Sequence, residues 1–127
     1  MKDCVFCNIE DSSKIYEDEF FFIIRDGFPV TNLHTLFITQ RCIDSYFDLT
    51  DDELNRLQKL IKEQKDLILK GDSNVTGFNI GINQGKDAGQ TVMHLHIHLI
   101  PRRKGDVEDP KGGVRGVIPA KQNYSKD

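Results

Sequence analysis

Residues 93–100 read MHLHIHLI, so that histidine alternates with apolar residues along the segment. Side chains of a β-strand point alternately to the two faces of its sheet. The alternation therefore predicts a strand over residues 91–100 that presents His94, His96 and His98 on one face. The apolar residues between them would pack into the core from the other face: Met93, Leu95, Ile97 and Leu99.

Three further stretches have the composition of β-strands. Residues 20–24, 33–39 and 78–83 are rich in aromatic and β-branched residues, and turn-forming residues lie between them. We expect Pro101 to end the histidine-bearing strand. The glycines and prolines that follow it predict irregular structure on the surface.

Residues 50–71 have the pattern of one long amphipathic helix. Thr50 and Glu53 have the spacing of a capping box, and Gly71 is placed to cap the other end. Between them, apolar residues recur every three or four positions, as on one face of a helix of about five turns. Strands on both sides of a single helix indicate an α+β fold with a mostly antiparallel sheet.

Length and charge narrow the class of protein. The chain is expected to form one domain over residues 1–127, with a core at about residues 4–102 and an irregular segment over residues 103–127. A net charge of −3 gives no general attraction to nucleic acid. No stretch approaches the roughly 20 apolar residues of a membrane span, and the N-terminus lacks the apolar core of a signal peptide. We therefore expect a cytoplasmic protein that binds neither nucleic acid nor membrane.

Three histidines on one face are compatible with more than one chemistry. A solvated polar face, a Zn or Cu site, and nucleophilic catalysis by one imidazole all fit the pattern. Residues 83–91, which read NQGKDAGQT, favour catalysis. Glycines let a backbone approach a phosphate group, and amide and hydroxyl side chains can bind one.

These same residues resemble a known family. A histidine triad, His-φ-His-φ-His-φ-φ with φ apolar, is the signature of the HIT family, and residues 83–92 resemble that family's phosphate loop. The resemblance runs from Cys4 to about Arg102. It implies a HIT-like fold with about five antiparallel strands, one long helix and a homodimeric assembly. It also implies an enzyme that attacks the α-phosphate of a nucleotide.

The resemblance implies a role for each residue of the site. His96 would attack phosphorus and form a nucleotidyl-histidine intermediate, His98 would contact the phosphate, and Asp26 would bind the ribose. His34 lies where many members have a fourth histidine near the triad. Asp26 is also typical of a turn, and the apolar residues of the implied base pocket, named below, are also typical of an ordinary core. The remaining implied members orient the nucleophile, bind phosphate or leaving group, or wall the base pocket: His94, Asn83, Gly89, Gln90, Thr91, Val5, Phe6, Ile9 and Ile24.

Cys4 and Cys7 form a Cys-x-x-Cys pair, which can place two thiolates on one metal ion. A redox pair and a metal-free vestige are the alternatives. Bacterial-type HIT proteins often begin with such a pair and hold a structural zinc ion with a later histidine and the first histidine of the triad. Cys42 stands where that later histidine usually lies. The resemblance therefore implies structural zinc held by Cys4, Cys7, Cys42 and His94.

Residues 89–92 and 98–102 look closer to the branch of the family that cleaves dinucleoside polyphosphates to a nucleoside monophosphate. Hydrolysis of AMP-lysine or another adenosine phosphoramidate is the alternative within the same chemistry. Two alternatives lie outside it: a nucleotide-binding regulator, and a metalloenzyme with all three histidines on one ion.

Overall fold

Five strands form one sheet in the computed structural model, which describes residues 3–124. Their order across the sheet is β1-β2-β3-β5-β4, and every pair of neighbours is antiparallel. The predicted α+β fold is confirmed. Only β1 has no counterpart in the sequence-based prediction. The strands are β1 (Lys14–Glu17), β2 (Phe21–Arg25), β3 (Thr35–Thr39), β4 (Val75–Gly81) and β5 (His96–Arg103).

One long helix, α1 (Asp51–Gly71), packs against one face of the sheet. The predicted capping box is present: the Glu53 amide donates to Thr50 Oγ1, and the Thr50 amide donates to Glu53 Oε1. These bonds satisfy amide groups that a helix N-terminus leaves free. The prediction that Gly71 caps the other end is wrong, because Gly71 is the last helical residue and Asp72 follows as the cap in an extended conformation.

Strands β2 and β3 are buried on both faces of the sheet. Phe21, Ile23 and Phe37 pack beneath α1 in the larger core. Phe22, Ile24, Leu36 and Ile38 lie on the opposite face, with Phe6 from the N-terminal segment. Apolar residues therefore run continuously along these strands instead of alternating. The second face, which no α-helix of the described residues covers, carries the candidate site.

Strand β5 begins and ends later than predicted. Residues 91–95 lie outside it, and the Leu95 amide bonds the carbonyl of Ile43 at 2.7 Å. Leu95, Ile97 and Leu99 are buried as expected, whereas Met93 is 52% exposed. Strand β3 pairs only with residues 96–99 of β5. Pro101 therefore needs no amide hydrogen bond on the side of β3, and β5 continues through it to Arg103.

The remaining elements differ in smaller ways from the prediction. Strand β4 starts three residues earlier than the predicted 78–83 and lies at an edge of the sheet. Short 3-10 turns at Gly113–Val117 and Pro119–Lys121 follow β5. Within residues 3–124, no helix combines the length and apolar character that crossing a bilayer requires.

Candidate functional site

His96 and His98 line one cavity on the face of the sheet opposite α1. They are two residues apart on β5, and their ring centroids are 5.3 Å apart. The cavity has a volume of about 450 Å³. Apolar side chains form most of its wall, while Asp26 and Thr91 contribute polar groups. The other lining residues are Val5, Phe6, Ile9, Ile24, Gly27, Phe28, Leu36 and Val92.

The ring of His96 is fixed in one tautomer by a backbone carbonyl. Its Nδ1 lies 2.8 Å from the carbonyl oxygen of His94. A carbonyl can only accept, so Nδ1 carries the hydrogen and the Nε2 of the neutral ring has a free lone pair. The ring of Phe6 contacts His96 edge-on, with centroids 4.9 Å apart, and restricts its orientation. His96 therefore offers an unprotonated nitrogen to the cavity.

His98 is fixed in the opposite tautomer through His34. The Val30 amide donates to His34 Nδ1 at 3.0 Å, so the hydrogen of neutral His34 must be on Nε2. That Nε2 lies 2.9 Å from His98 Nδ1 and donates to it. The hydrogen of His98 is then on its own Nε2, a buried atom without a hydrogen-bond partner among residues 3–124. His98 thus holds a donor ready for an acceptor that enters the cavity.

We call the hydrogen-bonded pair of His34 and His98 the relay. Both of its histidines are neutral near pH 7. Burial, together with the nearby rings of His96 and His34 and against the opposing carboxylate of Asp26, lowers the pKa of His98 to about 4. Burial also lowers the pKa of His34, although the carboxylate of Asp26 opposes the shift. The tautomers derived from the hydrogen bonds are therefore those of neutral imidazoles.

Asp26 lies at the edge of this relay. Its Oδ2 is 3.5 Å from His34 Nε2, and its Oδ1 accepts the Phe28 amide at 2.9 Å. Asp26, His34 and His98 are close enough together for a metal ion. An ion would need the lone pair of His34 Nε2, but that atom carries the hydrogen. His34 and His98 consequently form a hydrogen-bonded pair beside Asp26, and the three residues do not form a metal centre.

The predicted phosphate loop lies beside the cavity. Gly85 and Gly89 have φ of 94° and 99°, a left-handed conformation that glycine adopts without strain. The buried Gln90 side chain closes the loop by accepting from the Gly85 amide and donating to the carbonyl of Asp44. Its amide is thus already bonded within the protein. Asn83 lies next to Gly89, and of the predicted loop residues Thr91 and Val92 reach the cavity wall.

His94 has different contacts from the other two histidines of the motif. Its ring Nε2 is 2.7 Å from the carbonyl oxygen of Thr39 and donates to it. The lone pair on Nδ1 consequently faces Cys4 and Cys7, whose Sγ atoms are 3.2 and 3.5 Å away. A hydrogen bond of this kind on the far nitrogen is typical of histidines that bind a metal. The metalloenzyme alternative would require this ring to join His96 and His98 on one ion.

Cys4, Cys7, Cys42 and His94 bring their ligand atoms within 4.8 Å of one another. Zinc bonds of roughly 2.3 Å to sulfur and 2.0 Å to nitrogen require such spacing in a tetrahedral site. Burial raises the pKa of Cys4, but hydrogen bonds from the Cys7 and Phe6 backbone outweigh it and lower that pKa to about 6. Burial and the thiols of Cys42 and Cys4 raise the pKa of Cys7 to about 12. A dication would relieve this repulsion between thiolates, so the residues fit structural zinc.

Comparison with known proteins identifies the family. The HIT domain model matches residues 8–105. This chain belongs to the HIT domain family. An uncharacterized HIT-like protein of Methanocaldococcus jannaschii is 35% identical over 119 residues, covering 90% of this chain and 91% of the relative. An asymmetrical bis(5'-nucleosyl)-tetraphosphatase of Schizosaccharomyces pombe is 42% identical over 81 residues, covering 64% of this chain and 44% of that protein.

Solved HIT structures have the same fold. A Zn-bound histidine triad family protein from Mycobacterium smegmatis superposes with a TM-score of 0.74 at 36% identity, covering 83% of this chain and 78% of that one. The diadenosine triphosphate hydrolase of Plasmodium falciparum superposes with a TM-score of 0.68 at 31% identity, covering 80% and 68%. The HIT family therefore includes nucleotide hydrolases, and one neighbour in it is described as zinc-bound.

The structure divides the implied HIT site into three parts. His96, His98, Asp26, Thr91 and four apolar wall residues line the cavity, whereas Asn83, Gly89 and Gln90 belong to the adjoining loop. His94 joins the cysteines. His34 was predicted near the triad, but its bond to His98 was not. Gly27, Phe28, Leu36 and Val92 line the cavity without having been predicted, since such residues in turns and strands give no functional signal of their own.

Proposed function

We propose that this protein hydrolyses a dinucleoside polyphosphate to a nucleoside monophosphate through a covalent intermediate on His96. The observation that carries the proposal is the pair of opposite tautomers in one cavity. His96 presents a lone pair on Nε2, and His98 presents a hydrogen on Nε2. One is a nucleophile and the other a donor for a phosphate oxygen.

The chemistry divides into two displacements at phosphorus. His96 Nε2 forms a bond to the α-phosphorus, and the bond from phosphorus to the bridging oxygen breaks with its electron pair on the leaving nucleotide. The substituted ring is cationic because Nδ1 keeps its hydrogen, and the carbonyl of His94 stabilises that charge. Water then attacks phosphorus, loses a proton to solvent, and releases the monophosphate and the neutral ring. His98 donates to a nonbridging oxygen throughout, where charge develops.

The cavity walls suit a nucleoside next to that phosphate. Phe6, Ile24 and their apolar neighbours would pack against a base, while Asp26 Oδ2 would accept from a ribose hydroxyl. Thr91 would bind the phosphate or the leaving group, with Asn83 and Gly89 beside it. Gln90 would act by holding the loop closed, since its side-chain amide is bonded to the Gly85 amide and to the Asp44 carbonyl.

A second cavity favours the phosphoramidate alternative. It has a volume of about 760 Å³ and shares Val5, Thr91 and Val92 with the first cavity. Asp3, Asp44 and Asp48 line it, and none of its described lining residues is lysine or arginine. Negative charge there would attract a leaving amine and repel a polyphosphate. The polyphosphate hydrolase relatives support the first substrate class, and this cavity supports the second.

Trapping the intermediate tests the common mechanism. After a brief incubation with diadenosine tetraphosphate or an AMP-amine conjugate, intact-mass and peptide analysis should find one nucleotidyl group on His96. The substrate that gives the faster single turnover identifies the class. His96→Gly should form no adduct, whereas His94→Cys, which keeps a metal-binding side chain, should still form one. Turnover that survives in His96→Gly would refute the covalent mechanism. A wild-type protein that binds nucleotide without turning it over would be better described as a nucleotide-binding regulator.

We further propose that Cys4, Cys7, Cys42 and His94 hold a structural zinc ion. Bound there, zinc would fix the N-terminal segment against the residues before β5. Elemental analysis of the purified protein should find one zinc per chain, and Cys42→His should retain it. Less than one tenth of an equivalent, after purification without chelator, would contradict the proposal.

The homodimer implied by the family would join at the exposed edge of the sheet. Of the two edge strands, β1 and β4, we assign the contact to β4, whose Ile80 is 53% exposed. Sedimentation should give twice the chain mass, and Ile80→Lys should give a monomer. Leu67→Lys, at an equally exposed apolar residue on α1, is the matched control and should leave the dimer intact. A monomeric wild-type protein would contradict the assembly.

A further inference from the structure

The loop that precedes β3 is held rigidly by two side chains of the candidate site. Asp26 Oδ1 accepts the Phe28 amide at 2.9 Å, and His34 Nδ1 accepts the Val30 amide at 3.0 Å. The ends of the loop are joined as well, since the Asp26 amide donates to the His34 carbonyl at 2.8 Å. The loop is therefore fixed on the protein, and its side chains have defined positions at the cavity.

Phe28 lies at the cavity rim on this fixed loop, and its side chain is 92% exposed. Burying a phenylalanine ring typically stabilises a protein, so a rigid loop that leaves the ring in water gains no such stabilisation in the free protein. Space is also open at the neighbouring Gly27, where an added Cβ would meet no atom within 4 Å. The ring and the open space together suit a flat group that enters from solvent.

We propose that Phe28 is a base-contacting residue that stacks on the solvent-facing side of a nucleobase. The opposite side of that base would pack on Phe6 and Ile24, which lie deeper in the same cavity. Stacking of a base on an aromatic ring is sequence-tolerant, so Phe28 would strengthen binding of nucleotides in general. The inference rests on the proposed use of this cavity for a nucleotide, and it adds the residue that covers the base.

Equilibrium binding of two probes separates base contact from phosphate contact. Titration calorimetry should give Phe28→Ala an affinity for AMP about tenfold below that of the wild-type protein, within the range measured for stacking on single aromatic residues. Affinity for ribose 5-phosphate, which lacks a base, should not change. Phe28→Tyr should keep the wild-type affinity for AMP. Phe47→Ala, which removes a 79% exposed phenylalanine from a surface outside the cavity, is the matched control and should change neither affinity.

Fluorescence gives an independent readout of stacking. The monophosphate of 2-aminopurine riboside should be quenched by wild-type protein and by Phe28→Tyr, and markedly less by Phe28→Ala at saturation. Equal AMP affinity and equal quenching in the wild type and Phe28→Ala would overturn the role of Phe28 while leaving the proposed function intact. Failure of the wild-type protein to bind AMP at millimolar concentration would overturn both. A change in sedimentation of Phe28→Ala would show instead that the ring contacts a second copy of the chain.

Discussion

Replacing His34 with leucine should remove the hydrogen bond that fixes the tautomer of His98, although His34 itself does not line the cavity. His34 is 2% exposed, and its Nε2 is the donor that fixes the hydrogen of His98 on the opposite nitrogen. Leucine offers no donor, so His98 Nδ1 can take the hydrogen and present a lone pair to a phosphate oxygen. Glutamine at the same position carries an NH₂ group that can still donate, which makes His34→Gln the matched variant.

The size of the effect follows from two limits. A net hydrogen bond of about 1–1.5 kcal/mol biases the tautomer about tenfold, which sets the smaller limit. Complete loss of a donor to a developing oxyanion costs about 10²–10³ in rate, which sets the larger. We expect kcat/KM of His34→Leu to fall by about 10–100-fold, and that of His34→Gln by less than about tenfold. The Val30 amide also loses its acceptor, so the free energy of unfolding should fall by about 1–3 kcal/mol in His34→Leu.

The assay combines kinetics with a direct view of the tautomer. Steady-state hydrolysis of the preferred substrate gives kcat/KM, and ¹⁵N chemical shifts of the imidazoles report which nitrogen of His98 is protonated. In the wild type this should be Nε2, and in His34→Leu the signal should shift toward the Nδ1-protonated form. The relay is refuted if His34→Leu keeps kcat/KM within threefold of the wild type with folding intact. It is also refuted if glutamine restores nothing that leucine loses.

Three other outcomes follow from the structure. Because burial lowers the pKa of His98 to about 4, the unfolded chain binds more protons than the folded one between about pH 6.5 and 4. As the pH is lowered through this window, the free energy of unfolding should therefore fall by up to about 1.4 kcal/mol per pH unit. The fall should be less steep in His98→Gln, and urea titrations at several pH values can measure both. Removing zinc by chelation or with Cys7→Ser should weaken AMP binding in calorimetry, because Cys7 is next in sequence to Phe6, which lines the cavity. Unchanged affinity would contradict this coupling. Gly71→Ala should raise the free energy of unfolding by about 0.5 kcal/mol, since Gly71 is helical and an added Cβ meets no atom within 4 Å; destabilisation would indicate that the glycine is a cap after all.

Local patterns in the sequence predicted those features that depend on neighbours along the chain. Alternation gave the buried face of β5, and the spacing of Thr50 and Glu53 gave the start of α1. The start of β5 was wrong because the bond from the Leu95 amide to Ile43 depends on a contact 52 residues away in sequence, at a distance of 2.7 Å. Pro101 lies within β5 because β3 pairs with β5 no further than Leu99. The residues around the proline carry no sign of where that pairing stops.

The relay shows the same limit at the site. His34 could be placed near the triad by resemblance, but its use depends on a backbone amide at Val30 and on a ring 64 residues later. Neither the tautomer of His98 nor its unpartnered Nε2 can be derived without those positions. Resemblance therefore predicts which residues meet, and the hydrogen bonds determine what each nitrogen can do.

The three histidines of the motif are chemically equivalent in the sequence and distinct in the structure. The ring of His94 faces three thiols, yet its carbonyl oxygen accepts the hydrogen of His96 at 2.8 Å. One residue therefore connects the metal-binding cluster to the nitrogen that would attack phosphorus. Any ion that fixes the His94 ring also restricts the peptide that sets the tautomer of His96. A site classed as structural would, by this connection, contribute to the orientation of the nucleophile.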